Sequence, residues 1–262
     1  MKTRISSAGV LAALFLAVVG LPAFGQDAAA IVERARNRIE ADTTSTRSRM
    51  VITAKDGKTS ERMIDQYSKE SGGRTLMLIE FKRPASVAGT RFLTIENQAG
   101  GEDRWIYLPS LGKTRRVAAS EGGGSFMGTD FSYDDISSTD RDIDADTHTI
   151  LREETLDGVP CYVVQSVPRD SGYQYAKTIS WIDKAQSLIY KNEMYNKRGE
   201  LVKTMEMSDY RDVQGRPTAM RTKVATIASG TSTTVFMDIV RYDDTMPDGV
   251  FTVNYLETGR IR

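Results

Sequence analysis

From Thr46 to the C-terminus, β-branched and aromatic residues alternate with polar ones at period two, broken by short turn signals, so most of the chain must lie in β-strands. Residues 47–54 alternate into Lys55-Asp56-Gly57-Lys58, and a second alternating run, 59–67, follows, which is the pattern of a hairpin closed by Asp-Gly. Further runs lie at 74–81, 90–96, 104–108, 114–117, 149–155, 161–168, 176–182, 187–195, 201–210, 218–227 and 232–242. Asp157-Gly158, Ser171-Gly172, Arg198-Gly199, Gln214-Gly215 and Ser229-Gly230 fall between them as turns. Strands joined by short turns pair antiparallel, and a large antiparallel sheet curls or closes to protect its edges. The expected fold is therefore mainly β with few helices, an α+β arrangement built on a strongly curved antiparallel sheet, an incomplete β-barrel of about eleven strands. A two-sheet sandwich is the other arrangement the same strands permit.

Ahead of the strands, Ile31, Ala35 and Ile39 recur at four-residue spacing among charged residues, which predicts an amphipathic helix over 28–41 lying on the concave apolar side of the sheet. The first residues read differently. Lys2 and Arg4 precede an apolar run from Val10 to Leu21, and Ala23-Phe24-Gly25 supplies the small residues a signal peptidase reads. The run is shorter than the ~20 residues a spanning helix needs. Residues 1–25 are thus expected to be a cleaved signal peptide and residues 26–262 a single exported domain, placed in the periplasm. No Cys follows the apolar run to carry a lipid anchor.

Charge and sulfur content remove several function classes. The 35 Lys+Arg balance 35 Asp+Glu, so there is no positive excess for a phosphate backbone. One Cys and one His exclude a disulfide framework and a Cys/His zinc site. Cys161 lies in the β-rich run Val159-Pro160-Cys161-Tyr162-Val163-Val164 and reads as a buried, inert thiol. His148 has no nucleophile elbow near it and reads as a lone surface residue. Gly122-Gly123-Gly124 lacks the Gly-Lys-Ser/Thr of a phosphate loop. The run Asp140-x-Asp142-x-Asp144-x-Asp146 begins like a calcium loop, but Ala145 and Leu151 stand where Gly and a bidentate Glu belong. No catalytic constellation, cofactor motif or metal set remains, and the chain is expected not to be an enzyme.

Two features remain. Residues 118–147 form a Gly- and Asp-rich insert that also carries Phe126, Met127, Phe131 and Tyr133, side chains a solvated loop does not normally hold; they are expected to fold back on the apolar interior as a lid. Ten of the eleven methionines follow the leading segment, several within strands. Unbranched thioethers re-pack around ligands of variable shape, so these methionines line either a ligand cavity or an ordinary core.

Two stretches resemble known proteins. Glu102-Asp103-Arg104-Trp105-Ile106-Tyr107-Leu108-Pro109, followed by Lys113-Thr114-Arg115-Arg116-Val117, resembles the Trp-x-Tyr-x-Pro strand and following strand of periplasmic lipoprotein carriers of the LolA type. Phe81-Lys82-Arg83-Pro84, Gly89-Thr90-Arg91-Phe92-Leu93 and Ser125-Phe126-Met127-Gly128-Thr129-Asp130-Phe131 are similar to the LolA-like branch of outer membrane lipoprotein-sorting proteins, often encoded beside exporters of the RND superfamily. The resemblance covers roughly residues 45–260 and implies an incomplete barrel whose apolar cavity shields acyl chains on their way to the outer membrane, loaded by an inner-membrane RND-type exporter and unloaded to an outer-membrane acceptor. Lipid-binding candidates are the side chains that share a strand face: Met77, Ile79 and Phe81; Trp105 and Tyr107; Met205 and Met207; Met220 and Val224; Val235, Met237 and Ile239; with Phe126, Met127 and Phe131 from the insert. Trp105 and Tyr107 are either a cavity wall or a plain β-core pair. Arg115 and Arg116 are candidates for a phosphate headgroup or a solvated edge. A second function of the same fold is a non-enzymatic sensor that recognises a lipoprotein or membrane partner, as RseB-type regulators do.

Overall fold

The computed structural model describes residues 27–98, 101–137 and 142–261. The expected signal peptide and Asp140 lie outside the described residues. The alternating runs form thirteen strands: β1 (Thr43–Thr53), β2 (Thr59–Glu70), β3 (Thr75–Arg83), β4 (Arg91–Glu96), β5 (Glu102–Leu108), β6 (Lys113–Arg116), β7 (Asp146–Leu156), β8 (Val159–Pro168), β9 (Lys177–Asp183), β10 (Ile189–Tyr195), β11 (Leu201–Val213), β12 (Arg216–Thr226) and β13 (Thr231–Tyr242). The expectation of about eleven strands is too low: all thirteen alternating runs, the short 114–117 and the charged 149–155 included, are separate members of the sheet. All thirteen belong to one antiparallel sheet in the order β6-β5-β4-β3-β2-β1-β13-β12-β11-β10-β9-β8-β7, so the two-sheet sandwich is excluded.

That order has one non-sequential pair. β1 lies beside β13, and the free edges are β6 and β7, which follow one another in the chain. The segment between them, 117–145, must therefore cross from one edge of the sheet to the other. Because residues directly opposite in an antiparallel pair share a face, the register fixes which side chains it meets. Ile106 faces Phe92, Phe92 faces Ile79, Ile64 faces Phe81, and Val235 faces Met50. All of these belong to one buried cluster with Phe126, Phe131 and Tyr133 of the insert. This is here termed the insert face.

Helix α1 (Ala28–Arg36) is capped by the Asp27 carboxylate, which accepts from the Ala29 amide at 3.0 Å. It buries Ile31, Val32 and Ala35 on Val164 and Ile182. The pairs Val164–Ser180, Ser180–Asn192 and Asn192–Met205 carry that position across to β11, so α1 lies on the same side as the insert. It ends at Arg36 rather than at residue 41, because the chain turns at Asn37 to enter β1. The opposite face is covered at the other end of the sheet by helix α3 (Val253–Thr258), with Val250, Phe251 and Leu256 packed on Leu76, Leu78 and Leu93.

Candidate functional site

The described part of the insert, residues 118–137, is fastened to the sheet at several points. At its start, Arg115 reaches Glu121 at 2.9 Å, and Glu121 also accepts from the Ala118 amide at 2.9 Å. Arg104 on β5 bridges Glu102 and Asp134, the latter at 2.7 Å. Burial acts against the Arg104 charge, yet these two carboxylates outweigh it and hold its pKa above the ordinary value, while burial pushes the Glu102 carboxyl up. Asp135 in helix α2 (Tyr133–Ser137) accepts from Lys203 of β11 at 2.7 Å and from the Tyr175 hydroxyl at 2.7 Å. Burial and then the Asp135 charge raise the Tyr175 pKa far above that of a free phenol, so it stays a donor.

The tip of the insert is a tight turn. Met127 and Gly128 have φ of 52° and 73°, and the Thr129 amide returns to the Phe126 carbonyl at 3.0 Å. Positive φ at a methionine costs about 1 kcal/mol and persists only when its surroundings enforce it. The Arg62 guanidinium does so by donating to the Met127 carbonyl, and it lies 5.7 Å from the Phe81 ring centroid. Burial lowers the Arg62 pKa. Next in sequence, the buried Asp130 carboxylate accepts from Thr226, Thr231 and Thr233 at 2.7, 2.5 and 2.7 Å, which ties the turn to β12 and β13. Phe126 then points into the sheet, fully buried, with ring centroids 5.8, 5.2 and 5.7 Å from Phe81, Phe92 and Tyr133.

Gly122 and Gly124 close this packing, a Cβ on Gly124 falling 2.9 Å from the Glu121 carbonyl oxygen. A Cβ on Gly122 would stand 2.2 Å from Asp134 Oδ1, so Gly122→Ala is expected to push Asp134 off Arg104 and lower the unfolding midpoint by an amount near 1–2 kcal/mol, read by urea denaturation.

Most of the expected lipid-binding residues come together here. Met77, Ile79, Phe81, Val224, Val235, Phe126 and Phe131 are buried in one cluster, and Met127, Met205 and Met237 pack against it. Met207 pairs with Thr222, which pairs with Val235, so Met207 and, by alternation, Met220 lie on the same face; both are half-buried, outside the cluster the insert covers. Sequence reading missed Met50, Ile64, Phe92, Ile106 and Met194, which lie on this face too. The signal was available only after register, since Met194 pairs with Lys203. The missed polar residues are Arg62, Arg104, Asp130, Asp134, Asp135 and Lys203, whose partners are distant in sequence.

Other expected residues are elsewhere. Trp105 and Tyr107 project from the opposite side of β5 to Ile106 and pack with the α3 cluster. Ile239 leaves the set of Val235 and Met237 because a bulge at Arg47/Ser48 shifts the register: Ser48 faces Met237, but Arg47 faces Ile239, which is 44% exposed. Arg115 and Arg116 are neighbours on one strand and so point to opposite sides; Arg115 pairs with Glu121 and Arg116 with Asp103. His148 is not a free surface group, since its ring nitrogens contact Ser166 Oγ at 2.8 Å and the Ile143 carbonyl at 3.0 Å. Asp146 pairs with Arg36, and Asp142 accepts from the Asp144 amide. Among the described residues no cluster of three His, Cys, Asp or Glu side chains is placed to hold a metal. Cys161 is buried, and burial pushes its thiol pKa up. A polar cleft of about 560 Å³ lies apart from the insert, between the end of α1 and the β9–β10 turn, lined by Arg34, Arg38, Gln186 and Arg216 among others.

A single curved antiparallel sheet whose two edges are linked by a segment packed on one face defines a LolA-like fold. The architecture is shared with a DUF1329 family protein from Desulfovibrio piger, with a TM-score of 0.83 and 28% identity over 87% of this chain and 97% of that one. A domain from Vibrio parahaemolyticus assigned to outer membrane lipoprotein sorting matches with a TM-score of 0.82 and 26% identity, over 88% of this chain and 98% of that one. A LolA superfamily protein from Nitrosomonas europaea has the same fold at 22% identity, with a TM-score of 0.70 over 87% and 98% of the two chains. No curated protein matches the sequence. A family model described as an uncharacterized protein matches residues 73–258, more than half of the chain, and the chain belongs to that family.

Proposed function

We propose that the protein is a non-enzymatic periplasmic carrier that binds the acyl chains of a lipid or lipoprotein on the insert face and moves them toward the outer membrane. The observation that carries this reading is the methionine-rich face itself, roofed by an aromatic plug that polar clamps hold at its margins. Seven strand methionines, Met50, Met77, Met194, Met205, Met207, Met220 and Met237, lie on that face, and Met207 and Met220 remain only half covered. Apolar burial is worth ~25 cal/mol per Å², so an acyl chain displacing Phe126 and Phe131 replaces one apolar contact with another while the clamps supply the closing force. The lipoprotein-sorting assignment of the Vibrio relative supports the cargo class. An RND-type inner-membrane exporter as donor and an outer-membrane acceptor complete the reading, and transfer needs only an acceptor that binds more strongly.

Native mass spectrometry with organic extraction tests it on protein purified from its own periplasm. A lipid near one per chain is the expected result. An empty protein that also fails to take up fluorescent fatty acid overturns the carrier. In the uptake assay, Met205→Asp and Met237→Asp are each expected to weaken loading by about tenfold or more, because a carboxylate on this face must be desolvated. Trp105→Leu, on the opposite face, is expected to leave loading unchanged.

A further inference from the structure

The six hairpins that emerge at the β1–β2 end of the sheet differ in chemistry from those at the other end. In sheet order they are β5–β6, β3–β4, β1–β2, β12–β13, β10–β11 and β8–β9. Five of them carry an exposed cation that no carboxylate among the described residues pairs with: Lys113, Arg83, Lys55, Lys197 with Arg198, and Arg169. The hairpins also hold two exposed apolar tips, Leu111 at 64% and Ile227 at 50%. Leu111 is the most exposed large apolar side chain among the described residues. The turns at the other end mix the two signs: Asp157, Asp212, Asp243 and Asp244 lie there with Lys184 and Arg216, and Arg216 pairs with Asp243. The rim also holds Asp56, Asp170 and Glu200, which its exposed cations outnumber.

We infer that this cationic rim is a docking surface for a lipid bilayer with anionic headgroups. Basic side chains near such a surface each add attraction that falls off within a Debye length, and apolar tips between them enter the headgroup layer. Cations interleaved with exposed apolar tips match such a bilayer: its anionic headgroups take the charges, and the boundary beneath them takes Leu111 and Ile227. The clamps from Arg62, Thr226 and Thr231 to the insert tip lie at this same end, so docking places the margin of the insert against the bilayer. The inference goes beyond the carrier reading, since a protein that never loads cargo would still dock.

Vesicle flotation tests it with protein purified from a periplasmic extract. Flotation is expected with vesicles containing phosphatidylglycerol, to be lost in pure phosphatidylcholine, and to weaken as salt rises. Lys197→Glu with Arg198→Glu is expected to reduce bound protein by about tenfold or more, as is Leu111→Asp with Ile227→Asp. Lys184→Glu with Arg211→Glu changes charge equally at the other end of the sheet and is expected to float like the parent. Circular dichroism on each variant separates docking from misfolding. Equal binding to both vesicle types, or undiminished flotation of folded rim variants, overturns the inference. Fatty acid uptake without vesicles is read in parallel, so a failed carrier and a failed docking surface give different results.

Discussion

Truncating Phe126 to alanine is expected to destabilise the protein by about 3–5 kcal/mol, the range for a large aromatic removed from a closed core. The side chain is fully buried, and three rings, Phe81, Phe92 and Tyr133, lie within 5.8 Å of its centroid. Each such pair adds about 0.5–1.5 kcal/mol beyond area burial, so the upper half of the range is expected. Urea unfolding measures the change. Under the carrier reading the same variant also leaves room on the insert face, and fluorescent fatty acid uptake should rise even as stability falls. A stability loss under about 1 kcal/mol would mean that the insert contributes little to the core in solution.

Asp130→Ala is expected to cost about 3 kcal/mol or more, because it strips the acceptor from three threonine hydroxyls at once and Thr233 is fully buried. Its second effect separates it from a simple core mutation. With the carboxylate gone, the Phe126 turn keeps only the Asp130 amide bond to Thr233 Oγ1 and the Arg62 contact as its ties to the sheet. Hydrogen exchange should therefore accelerate at the amides of Phe126 and Thr129 and stay slow in β3 and β4. Asp130→Asn retains one carbonyl acceptor and is expected to fall between parent and alanine variant. Uniform acceleration across the sheet would show that the insert does not open as a unit.

The strands are legible because alternation survives even where turns are irregular: each of the thirteen runs overlaps one of the thirteen strands, to within two residues at most ends. What alternation does not carry is which faces join. β3 buries both sides, Met77 and Ile79 under the insert and Leu76 and Leu78 under α3, so hydrophobicity does not distinguish them. Trp105 and Tyr107, read as either a cavity wall or a β-core pair, lie in the α3 cluster, since Ile106 between them is the residue that faces Phe92. Ile239 failed through a single extra residue in the ladder. The separation of Arg115 from Arg116 was readable from their adjacency on one strand. The acids of the insert were visible as a cluster, but their partners, Thr226, Thr233, Lys203 and Arg104, are set by topology and carry no mark of it in the sequence.

The seam between β1 and β13 has a consequence for how the chain reaches this state. Every other strand pairs with its neighbour in sequence, so two hairpin arrays, one on each side of the insert, can assemble from local contacts. Among the strand pairs only β1 with β13 joins the two arrays, and that pairing closes the longest loop of any in the sheet. The arrays should therefore form first and dock late. The clamps of the insert reach β5, β11, β12 and β13, strands from both arrays, and are complete only after docking. Plug closure becomes the final step of folding, and a chain stalled just before it presents its methionine-lined surface to whatever apolar molecule is nearest.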